Sequence, residues 1–149
     1  MVTLTGDDVA IINDQVFTQV ADGDWAVIDF PNDLVNVKQG KNGVTVYALN
    51  TSGLTANATF RVPVGGTLDK FLNNLLVTMK SNFASFNLIT GTFTKQVGDG
   101  AGNITAKQYD LSGGVFKKQA GAKANAEGDA AQGVMVYELV FANAAASIA

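Results

Sequence analysis

The sequence predicts a mainly β protein of two packed antiparallel sheets, a sandwich or barrel, with one α-helix on its flank. Three observations carry that expectation. Apolar and polar residues alternate with period 2 in short segments at hairpin spacing, from which we count about eight or nine strands. Turn-forming groups rich in Gly, Asn and Asp separate the segments. One stretch, and only one, switches to helical periodicity: Leu68, Phe71, Leu72, Leu75, Leu76, Met79 and Phe83 form one apolar stripe at three-and-four spacing.

The organising stretch is LTANATFRVPVGGTLDKFLNNLLVTMKSNF, from Leu54 to Phe83. Leu54, Ala56, Ala58, Phe60, Val62 and Val64 take every second position, with Thr55, Asn57, Thr59 and Arg61 between them, the pattern of a half-buried strand. Gly65 and Gly66 stop it, and the Thr67 hydroxyl is expected to cap a helix of about residues 67–83. Upstream, Asp8 to Phe17 reads as a hairpin about Asn13-Asp14-Gln15. A turn at Asp22-Gly23 follows, then a strand from Asp24 to Phe30, ended by Pro31. Residues 32–43, NDLVNVKQGKNG, are read as a long projecting hairpin or loop outside the core. Val44 to Leu49 is a further strand, and Asn50-Thr51-Ser52-Gly53 turns the chain back.

Beyond the helix, residues 85–96 alternate a threonine face (Thr90, Thr92, Thr94) with Ile89 and Phe93. The loop GDGAGN then leads into a strand from Ile104 to Leu111. Ser112-Gly113-Gly114 allows a bulge or sharp bend before Val115 to Lys117. Residues 118–132, rich in Ala, Gly, Asn and Lys without periodicity, are expected to be an exposed, mobile excursion of a single domain spanning 1–149. Gly133 to Phe141 is the last strand, apolar on both faces except at Glu138, which implies cover on both sides. The tail after it is small and apolar and is expected to dock elsewhere.

Composition narrows the function. At 149 residues, 47% hydrophobic and 15% charged, the chain supports one core under a surface built mostly of neutral polar and small residues. A net charge of -3 removes the long-range attraction by which most nucleic-acid binders hold phosphate. With no cysteine and no histidine, thiolate sites, disulfides and Ser-His catalysis are excluded. No apolar run is long enough to span a membrane, and the opening MVTLTGDDVA does not read as an export signal, so assembly in the cytoplasm is expected.

No motif points to catalysis or a cofactor, and the chain is expected not to be an enzyme. Gly98-Asp99-Gly100-Ala101-Gly102 resembles a phosphate loop only until ITAKQYDL follows, a strand where a helix N-terminus is needed. Carboxylates at Asp7-Asp8, Asp22-Asp24 and Glu127-Asp129 match no calcium loop and read as turn residues. Lys117-Lys118 reads as a solvated strand end. A sandwich acting as a binding module displays clustered aromatics, whereas Trp25, Tyr47, Tyr109 and Tyr137 are spread over patterned strands.

FPNDLVNVKQGKNG, TFRVPVGGTLDKFLN, ITGTFTKQVGDGAGNITAKQYDLSGGVFKK and AEGDAAQGVMVYELVF, in this order and spacing, resemble the tail tube protein of contractile-tailed bacteriophages, over residues 5–143. The resemblance implies a fold shared with type VI secretion tubes, closure of six subunits into stacked rings, and a lumen through which double-stranded DNA passes without being held. It implies sheath, baseplate and tape-measure proteins as partners, no membrane, and residence in a virion tail. Another virion ring of this fold, a tail terminator or distal tail component, is the alternative. On this reading Asp33, Leu34, Val35, Lys38 and Lys41 are expected to contact the next ring, so deleting residues 34–41 should leave a folded subunit that makes no tubes. Asn57, Thr59, Thr90, Thr92 and Thr94 are the candidates to line the lumen.

Overall fold

A computed structural model describes residues 2–4, 8–18, 20, 24–122 and 133–148. The chain runs β1 (Thr3–Leu4), β2 (Val9–Ile12), β3 (Gln15–Val16), β4 (Ala26–Asp29), β5 (Val35–Gln39), β6 (Thr45–Leu49), β7 (Ala56–Pro63), α1 (Thr67–Ser81), β8 (Ile89–Gly98), β9 (Ile104–Phe116) and β10 (Val134–Ile148). Eight strands form one sheet in the order β3-β2-β8-β9-β10-β7-β4, with β1 also on β8, while β5 and β6 pair only with each other. Every pairing is antiparallel. The predicted class, two antiparallel sheets and one α-helix, is what the described residues adopt.

The large sheet makes its own sandwich by folding over. Five inter-strand steps separate β3 from β7, about 24 Å if the sheet were flat. Yet Phe17, just past β3, meets Phe60 of β7 edge-on with ring centroids 4.9 Å apart. Between the layers lies a core that includes Ala10 and Ile12 of β2, Ile89 of β8, Ala56, Ala58, Phe60 and Val62 of β7, and Tyr137, Leu139 and Phe141 of β10. The alternation of β7 is thus fully realised: these four β7 side chains are at most 1% exposed, and the residues between them are half-buried on the outer face.

Glycine lets the bend happen. Between β8 and β9 the register shifts from Ile89↔Gly114 to Gly91↔Leu111, so β9 carries one extra residue, and Gly113 there sits at φ 67°, a conformation that Cβ-bearing residues resist. At Gly114 a Cβ would stand 2.9 Å from the Ile89 carbonyl oxygen and collide with the Phe141 ring. The Ser-Gly-Gly bulge is therefore a bend over which the core aromatic is laid.

The helix buries Leu68, Leu72 and Leu76 against the same core, with Phe71, Leu75 and Met79 partly covered. Its start differs from expectation. Gly66 is the N-cap, without a side-chain cap bond, and Thr67 is already helical. The Asp69 carboxylate takes over part of the capping by accepting from the Gly65 N–H at 2.8 Å. Its other oxygen accepts a short hydrogen bond from the hydroxyl of Tyr137, which is 1% exposed. Burial first, then that bond and the Asp69 charge, push the phenol well above the ordinary tyrosine range, so it stays protonated and donates. Asp69 therefore ties α1 to β10. Tyr137→Phe should cost about 2 kcal/mol in a denaturant titration, because it removes a bond to a charged acceptor while leaving the ring packed.

Three further boundaries move. Leu54 belongs to a 3₁₀ turn (Thr51–Leu54) that Asn50 caps, and β7 begins at Ala56. The helix ends at Ser81, and Phe83 lies 64% exposed in a separate turn. There the Thr78 and Ser81 hydroxyls bond back to the Asn74 and Val77 carbonyls, and Asn82, at φ -152°, leaves the helical region. The tail after Phe141 does not dock elsewhere: β10 continues along β9 to the pair Ile148↔Lys107. Alanines carry no alternation signal, but the length of β9 supplies their ladder. Of residues 118–132, 123–132 lie outside the described residues, as do Asp22 and Gly23.

Candidate functional site

The β5-β6 hairpin is the most conspicuous unpartnered feature. Its ladder runs from Val35↔Leu49 to Gln39↔Thr45, and neither strand pairs with the main sheet. Its two ends are locked to each other at the base. The Asn50 side-chain amide donates to the Asp33 carbonyl at 3.0 Å, the Asn50 N–H donates to the Leu34 carbonyl at 2.7 Å, and the Asn32 amide donates to the Ser52 carbonyl at 3.1 Å. Gly53 permits this closeness, since a Cβ there would lie 2.7 Å from Asp33 O and Leu34 Cα.

All five residues expected at the ring contact, Asp33, Leu34, Val35, Lys38 and Lys41, are exposed on this unit. Asp33 and Leu34 sit at its base, Val35 and Lys38 in β5, and Lys41 at the tip. The unit is longer than residues 32–43, because β6 belongs to it. The exposed apolar residues that the sequence reading missed therefore lie just before and on the second strand: Val44, Val46, Tyr47 and Leu49 are 57–72% exposed, and Val37 opposite them is 60% exposed. Their alternation is the signal of a strand with a covered face, and among the described residues no second layer covers it. Apolar side chains on both faces of a projecting hairpin make it the candidate contact surface of this chain.

The threonine and asparagine candidates fall into two sets. Asn57 and Thr59 lie on the outer face of β7, opposite Val140 and Glu138 of β10 on one side and Asp29 and Val27 of β4 on the other. Thr92 and Thr94 lie on the outer face of β8, opposite Asp110 and Gln108 of β9 and Ile11 and Val9 of β2. Thr90 is exposed at the start of β8, its N–H donating to the Asn13 side chain at 3.1 Å. None of the five enters the core. Because the sheet is folded, the sets face outward from different layers of the sandwich. Beside the first set, Val136 of β10 is 41% exposed and Val134, Glu138 and Val140 are half-buried, so the face expected to be covered is only half-covered in the single chain.

Elsewhere the charges act as fasteners. Asp8 is 15% exposed and pairs with Lys95 at 3.1 Å beside a cleft of about 410 Å³ lined also by Asp24, Trp25, Val27 and Phe93. Trp25, Phe93, Tyr109 and Phe30 make a row of ring contacts at 6.0, 6.4 and 6.5 Å. Trp25 and Tyr109 are thus brought together through Phe93, which their spacing in the chain did not reveal. Lys118 lies 3.7 Å from Glu138. Among the described residues no cluster of acidic side chains could hold a metal ion, and no helix is long and apolar enough to cross a membrane.

The glycine-rich loop joins β8 to β9 as a hairpin tip. The Asp99 carboxylate accepts from the Ala101 N–H at 2.7 Å, from the Asn103 N–H at 3.2 Å and from the Asn103 side-chain amide at 2.8 Å. The Asn103 side chain first, then these backbone N–H groups, hold its pKa below the ordinary 3.8. A depressed carboxylate pKa contributes order that is present above the unfolded value and lost as pH falls through the folded one. Hydrogen exchange should show the Ala101 and Asn103 amides losing protection on acidification below pH 3.8, and Asp99→Asn should weaken that dependence.

No protein-family model matches this chain, and no curated protein matches it. Solved structures do. The chain is similar to one from the sheath-tube complex of an extracellular contractile injection system, PVC, in the extended state, at 12% identity and TM-score 0.62, over 95% of this chain and 88% of that one. It is similar to one from the PVC sheath/tube terminator in the extended state, at 14% identity and TM-score 0.62, over 94% and 92%. It is also similar to one from the anti-feeding prophage cap, a tube terminating cap, at 9% identity and TM-score 0.63, over 95% and 88%. The protein therefore has the fold found in these tube, terminator and cap assemblies, as the resemblance to tail tube proteins implies.

Proposed function

We propose that this chain is a structural subunit of a contractile tail or injection particle, closing with its own copies into rings that stack as the inner tube. The observation that carries the reading is the full-length likeness to chains of tube and terminator complexes. The projecting apolar hairpin and the half-open outer face of β10 fit it. Both are surfaces that a single chain leaves uncovered, and a heterologous contact repeated around a ring covers each with a neighbour.

On this reading six subunits form each ring, the hairpin with Asp33, Leu34, Val35, Lys38 and Lys41 reaches the next ring, and one of the two outer polar faces lines the channel. Since Asn57 with Thr59 and Thr90 with Thr92 and Thr94 point from different layers, one set faces the lumen and the other faces away. In a phage tail the cargo is double-stranded DNA, and a chain of net charge -3 favours passage over retention. Sheath, baseplate and tape-measure proteins are the partners, and the assembled particle is the site of action. The function is mechanical, with no catalytic step.

A terminating ring is the second reading, favoured by the equal likeness to terminator and cap chains. Negative-stain microscopy of the purified, concentrated protein separates the two. Long hollow tubes support the tube subunit, isolated closed rings support the terminator, and a protein that stays monomeric at every concentration overturns both.

A further inference from the structure

We propose that Asn42, at the tip of the projecting hairpin, is a site of spontaneous deamidation that converts it to aspartate and isoaspartate. Among the asparagines of the chain, Asn42 alone is followed by glycine. The reaction needs the next backbone nitrogen to reach the side-chain carbonyl carbon, and a residue without Cβ presents the smallest barrier to that approach. At the tip, Gly43 sits at φ 75° and nothing lies within 4 Å of where its Cβ would be. Asn42 itself is exposed, and among the described residues no hydrogen bond ties its side chain.

Two backbone bonds hold the turn: the Gly43 N–H donates to the Gly40 carbonyl at 3.1 Å, and the Gly40 N–H donates to the Val44 carbonyl at 2.8 Å. The first must open to free the attacking nitrogen. Both lie at the end of a two-stranded sheet, which is the kind of structure that opens locally at little cost.

The chemistry balances with water as the only co-reactant. The Gly43 backbone nitrogen gives its proton to hydroxide or a buffer base and bonds to Cγ of Asn42. The Cγ–Nδ2 bond breaks, and ammonia leaves. Water then opens the resulting five-membered imide at either carbonyl, giving an aspartate or an isoaspartate with one more atom in the main chain.

A second tip shows what prevents the corresponding reaction. Asp99-Gly100 has an acidic residue before glycine in a β-hairpin tip, but its carboxylate accepts three hydrogen bonds and is held in the charged form, which is the unreactive one. Asn42 has no such restraint. Conversion places a negative charge beside Lys41 and near Lys38, and the isoaspartate form lengthens the turn backbone. This consequence for stacking rests on the tube reading, since it alters the surface assigned to the next ring.

The test is a time course of the purified full-length protein at mildly alkaline pH, followed by peptide mapping with mass spectrometry and enzymatic methylation of isoaspartate. Asn42 should convert before every other asparagine, faster by about an order of magnitude, with isoaspartate confined to its peptide. Asn42→Gln should abolish the isoaspartate signal. Persistence of the Asn42 amide while other asparagines convert, or isoaspartate arising at Asp99 first, overturns the proposal. The same time course on assembled tubes is a separate arm. Protection of Asn42 there supports burial of the hairpin between rings, and conversion at the free-subunit rate overturns that role while leaving the modification site standing.

Discussion

Excision of the whole hairpin, replacing residues 35–49 by two glycines, should leave a folded subunit that forms no tubes. The folded subunit follows from the geometry, and the loss of tubes from the proposed role of the hairpin between rings. The hairpin pairs with no strand of the main sheet, and its apolar side chains stay exposed, so its removal takes little from the core. Its two ends already touch, since Asn50 bonds to the Asp33 and Leu34 carbonyls, so a short link closes the gap without strain. The expected change in unfolding free energy is under about 1 kcal/mol, in keeping with the marginal stability of an isolated hairpin. The narrower cut of residues 34–41 that the sequence suggests removes β5 and leaves β6 without the strand it pairs with, an open strand that invites aggregation. Thermal unfolding and negative-stain microscopy on the same sample check the two halves. Full-length tubes from the excised chain would remove the hairpin from assembly.

The largest loss of stability should come from Phe60→Ala, at about 3–5 kcal/mol. Phe60 is 1% exposed, packs edge-on against Phe17, and pairs with Tyr137 of β10 on one side and Ala26 of β4 on the other. It therefore holds the two layers of the folded sheet together, and truncation opens a cavity where they meet. For a domain of this length such a loss lowers the melting temperature by roughly 10–15 °C. Val27→Ala, one position along β4 but on the outer face and 44% exposed, should shift stability by no more than about 0.5 kcal/mol. Calorimetry on the pair checks the assignment of faces, and equal losses from the two would show that the layers are not organised about Phe60.

Much of the fold was legible in the residues. β7 and α1 were readable because each buries one face, and a half-buried element has to write its period into the chain. The Asn13-Asp14 turn was readable because both residues adopt positive φ, 47° and 68°, which Asn and Asp tolerate better than most side chains. The Ser112-Gly113-Gly114 bulge was readable for the same kind of reason. The N-cap was not, because Asp69 performs from within the first turn part of what Thr67 was expected to do from its edge. The length of β10 was not, because a run of alanines is compatible with strand, helix or loop and only the presence of β9 decides among them.

The candidate site divides along the same line. Residue by residue, the chain determined which faces are polar, where glycine breaks each element, and that residues 32–43 stand outside the core. These are local properties, set by side-chain chemistry and backbone sterics. Only the tertiary structure decided that β6 belongs to the projecting unit, that Trp25 and Tyr109 meet through Phe93, and that Asn57 and Thr59 look out of a different layer from Thr92 and Thr94. Each of those facts depends on the fold-over of an eight-stranded sheet, which brings together residues far apart in the chain. No periodicity records on which side of a fold a strand will lie, because alternation states that a face is covered and leaves unstated what covers it.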